Sequence, residues 1–365
     1  MMERMGVILG SAAVLALLWG CAKDESSSPE DPGSGLVLDT TEVIIVSVQY
    51  AGPPIIPFPS NGDIWMSTWG DDDLLYVTWG DGAGPGPQYV IPAFGTDAGV
   101  AALAGTVPEF TNVNSPFECI RSIHVPDGIA WGMQDDKPSS LLCCGGRLFF
   151  AGHTPLDELC YGYIAFSNDH GLTWTEVPNS PWTMAANSAF QVLVLINMGK
   201  NYGLNTDGFV YGLGCSKNWG QGDGQAFLCR VPKNSIEVYE EYDYYAGKDS
   251  SDAPIWASSE TAAQPLENLT TYGHGSAIYH EGSGHYIFMG DAGFYAATQP
   301  WGPWEIIPNL RNQYNTGWEG GYLPGIISKD AGEDYFYFTL AGQDSVIDYG
   351  CHIGKIQLEL AEIIP

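Results

Sequence analysis

The sequence predicts an all-β protein, and three observations carry that expectation. Aromatic residues are abundant, with 12 Trp, 20 Tyr and 14 Phe in 365 residues. They come with 46 Gly and 24 Pro, the residues that shape turns and end strands. Beyond the first twenty residues no apolar stripe of i, i+3, i+4 spacing runs longer than two turns, so nothing calls for a long helix.

The N-terminus reads differently from the rest. Arg4 precedes an apolar run from Met5 to Trp19, which ends in Leu17-Leu18-Trp19-Gly20-Cys21. A short basic region, an apolar stretch too short to span a bilayer and a small residue before Cys describe a lipoprotein signal peptide over residues 1–20, with Cys21 as the lipidation site. Residues 21–37 are rich in Ser, Pro, Gly and acid, too poor in apolar area to order, and read as a flexible tether. The expected protein is exported and lipid-anchored to the cell envelope, at the outer membrane, the cell surface or the periplasmic face. Cys21→Ser is expected to leave the precursor unprocessed or to release it from membranes, because one residue directs the cut and carries the lipid. Fractionation of cells checks this, and unchanged membrane association refutes it.

From residue 38 onward short strand patterns follow one another to the end. Thr41 to Gln49 alternates as an exposed or edge strand. Asp63 to Trp69 and Leu74 to Trp79 flank the turn Gly70-Asp71-Asp72-Asp73. Ser139 to Cys144 and Arg147 to Ala151 flank Gly145-Gly146, a strong hairpin signal. Tyr163–Ser167, Gln191–Ile196, Gly208–Gly212, Ala226–Val231, Ser276–Tyr279, Tyr286–Met289, Tyr335–Leu340 and Gly354–Leu360 continue the rhythm. Regular short strands without an internal linker mean one domain over 38–365, built as a sandwich, barrel or propeller.

Composition excludes some partners. With 13 Lys+Arg against 43 Asp+Glu the formal net charge is −30. Such a surface repels nucleic acid and anionic polymers, which need clustered cations. Of the 8 cysteines, Cys21 is the lipid site. Cys119, Cys143, Cys144, Cys160, Cys215, Cys229 and Cys351 show no zinc-finger spacing and read mostly as small buried hydrophobes.

Ser167-Asn168-Asp169-His170-Gly171-Leu172-Thr173-Trp174 fits the Asp-box, S-x-D-x-G-x-T-W. In that hairpin the Asp accepts backbone N–H bonds, the Gly takes a conformation hard for other residues and the Trp packs on the blade. The motif favours a propeller and assigns Asp169 a structural role. Thr41–Gln49 and Gly354–Leu360 are then expected to complete one blade from both termini, which removes free sheet edges.

The run Asp63-Ile64-Trp65-Met66-Ser67-Thr68-Trp69-Gly70-Asp71-Asp72-Asp73-Leu74-Leu75-Tyr76, ending in Gly80-Asp81-Gly82, resembles the opening of the domain of unknown function 4185 family. The resemblance continues in order through Lys137–Leu142, the Asp-box, Asn197–Tyr202 with Thr206–Tyr211, Cys229–Lys233, Tyr242–Gly247 with Trp256, and Thr298–Trp304. At Gly152-His153-Thr154 this chain departs from members that carry a basic or amide residue there. The resemblance implies a five-bladed β-propeller and, from members that are endo-D-arabinanases, glycoside hydrolysis with the catalytic carboxylates in the opening block.

Such chemistry needs one protonated and one ionised carboxyl across the scissile bond. Asp63 and Asp81 lie one hairpin apart, which lets adjacent strands present both at one end of a blade. Asp207 and Glu319 are reserve acids near blade starts. Trp65, Trp69, Trp79 and Tyr202 are candidates to stack on sugar rings, with blade packing as the other reading. His274, between glycines in Gly273-His274-Gly275, and His153 are candidate substrate contacts. The histidines show no tight metal-ligand spacing. Asp71-Asp72-Asp73 offers hard oxygens for a structural calcium or is a solvated turn; no cofactor is otherwise expected. The expected protein is a monomer acting on an extracellular glycan, with a non-catalytic glycan-binding lipoprotein or a propeller-type polysaccharide lyase as alternatives. Only four arginines follow the leader, Arg121, Arg147, Arg230 and Arg311, which speaks against a lyase that must neutralise a uronate.

Overall fold

The computed structural model of the chain describes residues 42–85, 96–107, 118–124, 136–153, 162–182, 188–215, 224–271, 274–290, 293–309, 321–342 and 349–363. The expected signal peptide, lipidation site Cys21 and tether lie outside them. The described strands form five antiparallel sheets. An outer strand comes first in sequence, β1 (Glu42–Tyr50). Blade one follows with β2 (Ser60–Asp63), β3 (Ser67–Trp69), β4 (Leu75–Pro85), β5 (Thr96–Ala104) and β6 (Glu118–His124). Blade two holds β7 (Lys137–Cys144), β8 (Arg147–His153), β9 (Gly162–Ser167) and β10 (Thr175–Glu176). Blade three holds β11 (Val192–Leu195), β12 (Phe209–Cys215), β13 (Phe227–Pro232), β14 (Asp243–Lys248) and β15 (Pro254–Ala257). Blade four is β16 (Gly275–His280), β17 (His285–Gly290), β18 (Gly293–Ala297) and β19 (Glu305–Ile307). Blade five is β20 (Gly321–Ile327), β21 (Tyr335–Gly342) and β22 (Cys351–Ile363), with β1 as its outermost strand.

The sheets close into a ring. Innermost strands touch in the order β3, β7, β11, β16, β20 and back to β3. Apolar clusters fill the space between consecutive sheets: Tyr76 with Phe150, Phe149 with Leu193, Leu228 with Phe288, Ile287 with Phe338, and Ile353 with Trp79. The fold is a five-bladed propeller, closed as the sequence led us to expect. β1 pairs antiparallel with β22 from Glu42 opposite Ile363 to Tyr50 opposite Ile356, so the first and last strands share one blade.

Local chemistry explains the turns. Gly145 and Gly146 both have positive φ, 62° and 73°, which a two-residue hairpin of the primed type requires. In the 167–174 loop, Asp169 accepts from the Thr173 N–H at 2.8 Å and from its hydroxyl at 2.6 Å, and from Ser167 Oγ at 2.7 Å. These bonds, Thr173 first, pull its carboxyl down to about 2, as suits a structural turn acid. Trp79 is buried and lies across Gly99, where a Cβ would sit 2.0 Å from the indole.

Asn197, just past β11, ties four blades together near the axis. Its Nδ2 donates to the carbonyls of Ser67 (3.2 Å) and Leu141 (3.1 Å), and its Oδ1 accepts from Thr68 Oγ1 at 2.6 Å. Its backbone N–H donates to Ala277 O at 2.9 Å, and its carbonyl accepts from Tyr279 N–H at 2.8 Å. Ser140 splices blades two and three in the same way, donating to Leu193 O and accepting from Leu195 N–H.

Candidate active site

In every blade the innermost strand runs in one sense along the ring, so residues at strand heads gather at one end and the first turns gather at the other. Asp63 ends β2, Lys137 begins β7, His274 precedes β16 and Tyr322 lies at the head of β20. Asp63 pairs in register with Gly80, which sets Asp81 beside it on β4. Glycines make the approach close. A Cβ at Gly80 would lie 3.0 Å from Asp63 Oδ1, and one at Gly82 would collide with the Asn61 carbonyl at 2.4 Å.

The two carboxyls have different surroundings. Asp63 is 3% exposed, and its Oδ2 accepts from Tyr322 Oη at 2.7 Å. Its Oδ1 is buried and has no hydrogen-bond partner among the described residues. Burial raises its pKa from 3.8 to about 6. The Tyr322 bond opposes that rise, the Asp81 charge adds to it, and Lys137 and then Tyr349 lower it. The Tyr349 hydroxyl donates to the Asp81 carbonyl at 3.3 Å. Asp81 is half-exposed and forms an ion pair with the buried Lys137. The arrangement therefore pairs a carboxyl inclined to keep its proton with one held by a cation.

The backbone is strained around these groups. Ile64 (φ 52°), Asp81 (φ 49°) and Leu323 (φ 55°) all occupy the left-handed region. Each such residue costs on the order of 1–3 kcal/mol. They stand next to Asp63, at Asp81 itself and next to Tyr322, where the strain aims the side chains, and Ile64 and Leu323 share one small apolar cluster.

Behind Lys137 sits a histidine pair. The His153 and His274 rings lie 5.3 Å apart at 48°, and His153 Nδ1 bonds Ser139 Oγ at 2.8 Å. Burial above all, with the Lys137 charge adding to it, pushes His274 down to about 4, and burial, then His274 and Lys137, push His153 well below its usual value. Both are neutral at pH 7. Among the described residues, the buried His153 Nε2 and Gln191 Oε1, one residue before β11, have no hydrogen-bond partner. A cavity of about 360 Å³ lies beside Tyr349, lined also by Ile56, Pro59, Ser60 and His352, and neither Asp63 nor Asp81 is part of its lining. That volume lies within the usual range of small-ligand sites, about 300–1,000 Å³.

Other candidates fall elsewhere. Asp207 stands at the opposite end of the ring, in the turn before β12, where it accepts from Phe209 N–H (3.0 Å), Asn205 Nδ2 (2.8 Å) and Tyr211 Oη (2.5 Å). It is a turn-capping acid and is withdrawn as a reserve catalyst. Glu319 lies outside the described residues. Trp65 is fully buried, with its Nε1–H on Gly62 O at 3.0 Å, and is blade packing. Tyr202 is 2% exposed, donates to Phe209 O at 3.2 Å and packs under blade three. Trp69 closes β3 at the end away from Asp63, bonding Asp73 Oδ1 at 2.9 Å. Trp65 lies beside Asp63 but is closed off inside the blade, and Trp69 and Tyr202 stand at the other end of the ring. Asp71, Asp72 and Asp73 diverge: Asp71 contacts His170 at 2.9 Å, Asp72 accepts from Tyr76 Oη, and Asp73 binds Trp69, Lys200 and Lys329. Asp71, Asp72 and His170 could together hold a cation, on an exposed surface.

Sequence reasoning missed Lys137, Tyr322 and Tyr349 as site residues. Lys137 had a signal, a lone cation heading the apolar strand Ser139–Cys144 in a cation-poor chain. The tyrosines had none, being two among 20. Burial raises the thiols of Cys143, Cys144, Cys229 and Cys351, which makes them poor nucleophiles.

The profile of the family described as "Domain of unknown function (DUF4185)" matches residues 156–345. No curated protein matches the sequence. Among solved structures, the chain is similar to the GH43_1 enzyme from Xanthomonas citri complexed with xylose, at 12% identity and TM-score 0.48, covering 85% of this chain and 90% of that one. It is also similar to the catalytic domain of a GH62 α-L-arabinofuranosidase from Coprinopsis cinerea, at 10% identity and TM-score 0.44, covering 86% and 97%. An α-L-arabinofuranosidase from Podospora anserina in complex with cellotriose gives 9% identity and TM-score 0.43, covering 86% and 97%.

Proposed function

Since the chain belongs to the domain of unknown function 4185 family, we propose that it is a glycoside hydrolase whose acid is Asp63 and whose base or nucleophile is Asp81. One observation carries the reading: two carboxyls on adjacent strands, one raised to about 6 by burial and the other ion-paired to Lys137. Glycosidic cleavage needs that asymmetry. Asp63 gives its proton to the departing sugar oxygen while Asp81 attacks the anomeric carbon or draws a proton from the attacking water. Tyr322 holds Asp63 in place. Endo-D-arabinanase activity, which the family resemblance implies, is the finer form of this proposal, and export with lipid attachment at Cys21 places it at the cell envelope.

The test incubates the soluble domain with a panel of glycans and reads reducing ends together with the absorbance of unsaturated products. Reducing ends alone support the hydrolase. Unsaturated products replace it with a lyase, and tight binding with neither signal replaces it with a binding protein.

The same geometry predicts a pH profile. A proton donor must be protonated, so kcat/KM should fall as pH rises through about 6, with the midpoint belonging to the coupled pair. Lys137 lowers the Asp63 pKa, so Lys137→Met should move this limb upward. A limb that stays put in the variant, or activity that instead rises through pH 6, removes Asp63 from the acid role.

A further inference from the structure

At the end of the ring opposite Asp63, the turn between β3 and β4 meets the 167–174 loop of blade two. Asp71 and Asp72 come from the first and His170 from the second. Each offers one ligand atom, and the three atoms lie within 4.8 Å of one another. His170 Nε2 stands 2.9 Å from Asp71 Oδ1. Two donors that bind one ion at about 2.1 Å each, at right angles, stand about 3.0 Å apart. The imidazole and the carboxylate therefore already have the spacing of neighbouring ligands.

A hydrogen bond has that spacing too, so the surroundings decide. Tyr76, fully buried and outside the group, fixes two of its three members. Its Oη donates to Asp72 Oδ2 at 2.7 Å, and its ring stacks with that of His170 at 6.4 Å and 12°. Two glycines make room for the carboxylates. A Cβ at Gly70 would lie 2.5 Å from Asp72 Oδ1, and one at Gly146 would lie 3.2 Å from Asp71 Oδ2. Support of this kind from outside the ligand set orients metal ligands before an ion arrives. The charges are unbalanced as well. Among the described residues Asp72 has no cationic partner and Asp71 has only His170, while Lys200 and Lys329 are bound to Asp73 at 3.0 and 3.2 Å. In a chain of net charge −30, a divalent cation cancels that local surplus.

Donor type narrows the ion. Calcium takes about 6–8 oxygen ligands, and Asp73 turns away to its lysines, so the three consecutive acids do not converge as a calcium loop would need. One imidazole nitrogen and two carboxylate oxygens suit a divalent transition metal of the zinc class. We propose that Asp71, Asp72 and His170 form a zinc-type site that staples blade one to blade two. The side chains of Asp71 and His170 are 37% and 36% exposed, so an ion reaches them from solvent. The site takes no part in the hydrolysis proposed for Asp63 and Asp81 and does not depend on it.

The experiment strips the mature chain with EDTA and titrates it with zinc chloride, followed by calorimetry, with calcium chloride in parallel. One zinc ion per chain is expected at micromolar affinity. The melting temperature should rise with zinc, because ligands from two blades meet only in the folded ring. His170→Asn removes the imidazole and suits the left-handed φ of 57° at that position. This variant and Asp71→Asn should each weaken zinc binding by about 10- to 100-fold, the range already seen for losing a supporting partner of a ligand. Their metal-free melting temperatures should stay close to that of the parent, since an exposed pair of this kind contributes little. Zinc binding that neither variant weakens places the ion elsewhere, and calcium bound as tightly as zinc changes its class. No zinc binding leaves a plain hydrogen bond between the two blades. Each of these three results overturns the inference.

Discussion

Asp63→Asn is expected to cut turnover by about 10²–10⁴-fold, the usual cost of deleting a general acid or base, while making the protein harder to unfold at neutral pH. The two effects come from the same burial. A carboxyl whose folded pKa is raised to about 6 from 3.8 contributes stability that is fully present below the unfolded value. That contribution is lost as pH rises through the folded value. At pH 7 the native state therefore carries an ionised, poorly solvated group at a cost of about 3 kcal/mol, from two pKa units and slightly more. Asn keeps the acceptor for Tyr322 and removes the charge, so much of that cost disappears. Denaturant unfolding at pH 7 should show a higher midpoint at unchanged slope, with the gain shrinking toward pH 4. Strain at Ile64 and Leu323 stays in place, because it belongs to the backbone. If the variant cleaves normally, Asp63 is a structural acid. If it is less stable than the parent at pH 7, its carboxyl is not held at a raised pKa.

How much of this was legible in the sequence depends on which physical rule wrote each residue. Gly145-Gly146 and the Asp169 loop were readable because turn geometry restricts residue type locally. The pairing of β1 with β22 was readable because a ring avoids free edges by joining its termini. β18 and β20 carry little alternation, as in Gly321-Tyr322-Leu323-Pro324-Gly325, and strands buried on both faces lose the period-two signal. That Asp63 and Asp81 stand side by side was readable from hairpin spacing, within the opening block that the family resemblance marks. Their partners were not, since Tyr322 reaches Asp63 across 259 positions of sequence and only ring closure brings them together. The aromatic candidates misled for a related reason. Trp65 and Tyr202 satisfy their polar atoms on backbone carbonyls inside the blades, which composition cannot distinguish from a sugar platform. Asp207 sat near a strand start as expected, at the wrong end of it, because the end of a blade depends on strand parity.

The second large effect is expected at Asn197, where no chemistry takes place. Its side chain spends both amide hydrogens on carbonyls of two other blades, Ser67 and Leu141, and its oxygen on the Thr68 hydroxyl. The residue is 3% exposed, so water cannot replace those partners when the amide is cut away. Two orphaned carbonyls and one orphaned hydroxyl, at about 1–3 kcal/mol for a buried group left unsatisfied, put the cost of Asn197→Ala at about 3–5 kcal/mol after partial relaxation. Asn197→Leu, close in volume, separates polarity from packing: it fills the space and still strands all three groups. Asn197→Asp should be at least as damaging, because it turns a carboxyl oxygen toward two carbonyl oxygens. Thermal or urea unfolding of the three variants measures these costs. A loss below about 1 kcal/mol in Asn197→Leu, the size of an ordinary substitution, would show that shape alone holds the blades at the axis.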